Sequence, residues 1–69
     1  MPLVLAQPGE NNIIRKISGT PEVRRHLEDL GFVVGGEVVL VNTLNGNVIA
    51  KVKESRVALD GELARKIMV

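Results

Sequence analysis

Residues 20–32, TPEVRRHLEDLGF, constrain this chain most, because both ends of one helix are written into them. Thr20 suits an N-cap, and Pro21 suits the first helical position, where its missing N–H has no partner to lose. Val23, Leu27 and Leu30 follow at i, i+4 and i+7, so they share one face. Gly31 stands where a left-handed residue ends a helix, a conformation cheap only for glycine. Phe32 then falls where it packs back on Leu27. The spacing therefore predicts one helix of about ten residues with a stop and an anchored exit.

A single proper helix in 69 residues leaves the rest to extended segments. Pro8-Gly9 reads as a turn. Leu3 to Leu5 suit a short edge strand, since Pro2 and Pro8 confine them. NIIRKISG, residues 12–19, has the half-alternating pattern of a second strand. Gly35-Gly36 turns the chain into EVVLVN, apolar on both alternate sets, as in a strand covered on both faces or closed into a barrel. Asn45-Gly46 is a strong hairpin signal of type I′. The return strand VIAKVK sends Val48, Ala50 and Val52 one way and Ile49, Lys51 and Lys53 the other. Glu54-Ser55 makes a tight connection into RVAL, with Val57 and Leu59 inward. Asp60 caps GELARK, a helix of barely two turns given Gly61, with Leu63 and Ile67 on one face. Residues 67–69, IMV, close the chain as a last strand. Five or six short strands and one inserted helix are too few to cover an open sheet. The economical solution is one domain over 1–69, mainly β, a small closed or nearly closed barrel with a short C-terminal helix.

Composition narrows the function classes. Nine basic and eight acidic residues give a net charge of +1, less than phosphate-neutralising binders usually carry. Without Cys there are no disulfides to support a core that hides roughly 60% of the unfolded surface, which fits a reducing compartment. No apolar run is long enough to span a membrane, and MPLVLAQPGE lacks a signal peptide's basic region. The expectation is a cytoplasmic chain, with terminal edge strands leaving self-association open.

The element order, read with its motifs, resembles the ferrous-iron transport protein A (FeoA) family. The resemblance runs from PLVLAQPGE through IIRKISG to the segment carrying Arg24, Arg25, Leu27, Leu30, Gly31, Phe32 and Gly35. It continues through GNVIAKVKESRVAL to ELARKIMV. It implies an SH3-like barrel, also similar to the C-terminal domain of iron-dependent repressors. It further implies a cytoplasmic accessory role in ferrous-iron uptake. The partner it implies is a permease with a cytosolic GTP-binding domain.

Few residues offer chemistry. His26 is the only imidazole; with Glu22 at i−4 it makes a weak candidate site for iron(II) or another transition metal. A tightly bound cofactor is not expected, because no further His or Cys completes a ligand set. The more ordinary reading of His26 is a solvated side chain in a mixed-charge helix face. Arg24 and Arg25 suit docking, since arginine is a common interface residue; an arginine finger completing a partner's GTP site is the catalytic alternative. No nucleophile constellation or phosphate-cradling loop is present, so no enzyme is expected. Leu44 and Asn45, at the hairpin tip, join Arg24, Arg25 and His26 as candidate partner-binding residues; Leu44 folding back into the core is the competing reading. One Phe gives neither an aromatic-lined peptide groove nor a base-stacking platform. The rival from another class is a barrel binding nucleic acid through Arg15, Lys16, Lys51 and Lys53.

Overall fold

The Asn45-Gly46 turn organises the larger of two sheets in the computed structural model, which describes residues 1–69. Asn45 and Gly46 take φ of 53° and 82°, the doubly positive pair of a type I′ turn. They join β3 (Glu37–Leu44) to β4 (Asn47–Val52). The turn from β4 into β5 (Ser55–Leu59) is Lys53-Glu54, one residue earlier than the expected Glu54-Ser55, because Ser55 already pairs with Val52; β1 (Asn11–Ile13) pairs with the other side of β3. The order is β1-β3-β4-β5, antiparallel throughout. A second sheet pairs β2 (Lys16–Ile17) with β6 (Ile67–Met68). With helix α1 (Pro21–Asp29) between β2 and β3, and the single turn α2 (Gly61–Ala64) before β6, the chain forms the small mainly β barrel that its patterning implies.

The caps of both helices follow the sequence. The Val23 N–H donates to Thr20 Oγ1 (3.3 Å), and the Leu63 N–H to Asp60 Oδ1 (2.9 Å). At the end of α1 the Gly31 N–H donates to the Glu28 carbonyl and the Phe32 N–H to the Leu27 carbonyl, each at 2.9 Å, with Gly31 at φ 108°. This is the full Schellman arrangement, and it delivers Phe32 to the centre of the core with no exposed surface. The core has 14 members, all apolar; Leu3, Ile14, Leu27, Phe32, Leu40 and Ile67 are its largest parts.

Four further expectations need correction. Leu3–Leu5 form a 3-10 turn: Leu5 N–H donates to the Pro2 carbonyl and Ala6 N–H to that of Leu3. A strand would send Leu3 and Leu5 the same way. The turn instead buries Leu3 and Ala6, three apart, and leaves Leu5 69% exposed. Residues 12–19 form two strands in different sheets. Ile14 N–H donates to the Gly36 carbonyl, but Arg15 N–H donates to that of Met68. The chain switches sheets between them, so Ile14 is buried and Ile13 is not. Helix α2 is one turn rather than two, and Ile67 reaches the core from β6. Finally, β3 is covered fully on one face only: Val38 and Leu40 are buried, Val39 and Val41 half-buried.

The irregularity in β3 has the largest effect on the surface. Val38 opposes Val52 and Leu40 opposes Ala50, all pointing inward. Beyond them Asn42 opposes Ile49 and Leu44 opposes Asn47, so Val41 is an extra residue in the ladder. Side chains alternate along a strand, so one added residue exchanges the two faces. Leu44 has the parity of Val38 and Leu40, yet it lies on the outer face with Ile49 and Asn47.

Candidate functional site

Leu44 is 59% exposed, so the bulge settles its position in favour of the surface. Asn45 beside it is exposed as well. The tip does not swing freely. An added Cβ on Gly61 would lie only 2.6 Å from the Gly46 carbonyl oxygen, so the turn backbone is seated on the start of α2. A large aliphatic side chain is thus displayed on a supported turn, an arrangement suited to contact with another molecule.

Arg24, Arg25 and His26 are consecutive and exposed on α1, whose inward face carries Leu27. At 3.6 residues per turn they fan over the outer side of the helix. Glu22 is exposed one turn before His26. Glu22 also borders a shallow hollow with Pro21 and Arg25, to which His26 does not contribute. The structure gathers no group of three or more His, Cys, Asp or Glu side chains.

These candidates occupy two places. The exit of α1 lies at the Val52 end of β4, where an added Cβ on Gly31 would be 3.2 Å from Val52 Cγ2. The tip lies at the Asn47 end of the same strand, roughly 20 Å away at the usual rise per residue. The basic residues of the nucleic-acid reading are also divided. Lys16 is in β2 of the smaller sheet with Arg15 beside it, whereas Lys51 belongs to β4 of the larger.

A further feature leaves no local mark in the sequence. The outer face of the larger sheet has a groove of about 360 Å³ bordered by Asn11, Val33, Glu37, Val39, Lys51 and Lys53. Alternation along β4 does place Lys51 outward, whereas Lys53 stands in the turn just beyond the strand, at φ 55°. The neighbours that complete the groove come from β1, β3 and the 33–36 turn, and only the register brings them together.

Comparison with known proteins gives a consistent result. The family model for the FeoA domain matches residues 1–69. Fe(2+) transport protein A of Methanocaldococcus jannaschii is 35% identical over 68 residues, covering 99% of this chain and 83% of that one. A crystal structure of an iron uptake regulatory protein (FeoA) superposes with a TM-score of 0.89 at 26% identity, covering 99% of this chain and 92% of that chain. A manganese-dependent transcriptional repressor superposes at 0.86 with 17% identity, covering 97% of this chain and 39% of that chain; at that identity the likeness is one of fold. The fold in common is the SH3-like barrel.

Proposed function

The chain belongs to the FeoA domain family, and from that membership we propose that it is a non-enzymatic accessory protein of ferrous-iron uptake that docks on the cytosolic GTP-binding part of the ferrous-iron permease. A fold of this kind does not fix an activity, so the reading has to rest on the surface. The observation that carries it is Leu44. A bulge turns this side chain out of the core and a seated hairpin tip holds it there, 59% exposed. Burying a leucine in a partner contributes about 1.5–3 kcal/mol, enough to anchor a transient contact. Asn45 adds polar groups beside it, and Arg24, Arg25 and His26 offer a second contact from α1. Docking there places the chain in the cytoplasm; no helix is long and apolar enough to cross a membrane. Iron(II) is the cargo of the system in this reading. Glu22 and His26 together provide two ligands, enough for a passing contact with a transition metal but short of a retained site.

The test is titration of the permease's GTP-binding domain with this chain, with GDP or a GTP analogue present. Binding at roughly tens of micromolar or tighter is expected, and Leu44→Glu should weaken it at least about tenfold. Absence of binding with both partners folded overturns the proposal. GTP turnover measured alongside bears on the word non-enzymatic: an acceleration by the chain that Arg24→Ala or Arg25→Ala abolishes would replace docking alone with an arginine finger.

A further inference from the structure

The groove on the outer face of the larger sheet lies at the opposite end of β3 from Leu44, so docking through the hairpin tip leaves it free, while the exit of α1 at Gly31 borders it. Its composition points to a ligand class. Cross-strand register aligns Asn11, Val39, Lys51 and Arg56 in one row over four strands. Lys51 and Arg56 face each other directly, and both are exposed. Like charges so placed destabilise a sheet. Lys53 borders the groove beside them, and Glu37 is its only carboxylate. The floor is aliphatic: Val39 is half-buried and Val33 38% exposed, with Ile13, 48% exposed, in the next row opposite Glu37.

We propose that this groove binds an extended acidic segment of a protein partner, one that carries an aliphatic side chain among its carboxylates. The carboxylates meet Lys51, Lys53 and Arg56 and relieve the repulsion between Lys51 and Arg56. The aliphatic side chain covers Val33 and Val39. The chemistry does not suit a nucleic acid. The sole aromatic, Phe32, is fully buried, so no base finds a stacking surface. The inference deepens the docking reading and rests on it only for the owner of the segment.

The test uses the whole chain, labelled with ¹⁵N, and a blocked peptide with one leucine between runs of aspartate. Amide shifts should change at Val33, Gly36, Val39, Lys51 and Lys53, with half-saturation on the order of 0.1 mM. Lys51→Glu with Lys53→Glu should weaken binding at least about tenfold, and leucine-to-serine in the peptide several-fold. Lys51→Gln should weaken binding and at the same time raise the melting temperature, since it removes one of two facing cations; a merely structural lysine would not couple those effects in opposite senses. No shift change up to about 1 mM, changes mapping elsewhere, or equal binding of a lysine-for-aspartate peptide or a single-stranded oligonucleotide overturns the proposal. The permease domain separates the two readings. If the peptide binds and the domain does not, docking falls and the groove stands. If the peptide fails, and the domain binds wild type and the double charge reversal alike, the groove falls and docking stands.

Discussion

Replacing Gly61 with alanine sets two physical effects against each other in one methyl group. Gly61 is the first residue of α2, where alanine is the better helix former by up to about 1 kcal/mol. On propensity alone the variant should be more stable. The new Cβ, however, would stand 2.6 Å from the Gly46 carbonyl oxygen, where ordinary contact begins at 3.4 Å. The obstacle is backbone at a hairpin turn, so no rotamer change relieves it. The turn and α2 must separate by most of an ångström, and overpacking of this kind costs about 1–3 kcal/mol. The steric cost outweighs propensity, and we expect a net loss of about 1–2 kcal/mol. For a domain of this size that lowers the melting temperature by about 5–15 °C. Thermal and urea denaturation followed by circular dichroism give the answer, with the urea slope unchanged if only stability has altered. A melting temperature equal to or above that of the wild type would refute the seating of the tip on α2.

Three further outcomes test the core, a helix cap and the metal contact. Phe32→Ala empties the centre of the core at a cost of about 3–5 kcal/mol, and so short a chain should then show collapsed amide dispersion in its NMR spectrum at 25 °C. Thr20→Ala removes the acceptor for the Val23 N–H and should cost about 1 kcal/mol in denaturant titration, with Thr20→Ser restoring most of it. Mn²⁺, as a paramagnetic stand-in for iron(II), should broaden amide signals around Glu22 and His26 weakly and reversibly, and His26→Ala should remove the effect. Broadening centred elsewhere would show that the metal contact has been placed on the wrong residues.

The parts of this fold that could be read from the sequence are those whose physics is local. A cap needs only its own turn, so Thr20, Gly31 and Asp60 declare the helix ends. A type I′ turn needs two residues that tolerate positive φ, and Asn45-Gly46 supplies them. At Leu3–Leu5 nothing local separates a short apolar strand from a 3-10 turn; burial of Leu3 with Ala6 decides it. Ile13 and Ile14 are chemically identical neighbours, and only the change of sheet between them determines which is buried. The bulge at Val41 is invisible in one strand, because it is a property of register with β4. For that reason Leu44 could be nominated from its position on a turn, while its outward direction could not be established. The groove is harder still: Lys51 and Lys53 are legible as basic residues, but Val33, Val39 and Glu37 join them, and Arg56 comes to face Lys51, only after strand assembly.

The smaller sheet bears on how quickly the molecule forms. β3, β4 and β5 are joined by two-residue turns and meet their partners almost at once. By contrast, β2 pairs with β6, Lys16 opposite Met68, and the Pro2 bridge to Met68 joins segments from still farther apart along the chain. Closing so long a loop costs entropy before its contacts return anything. The meander is therefore expected to form early and the barrel to be sealed late along the β2–β6 seam, a two-residue ladder flanked by the Arg15–Met68, Ser18–Lys66 and Val69–Met1 backbone bonds. We expect that seam to open before the three-strand meander does, exposing Ile17 and Ile67 to water.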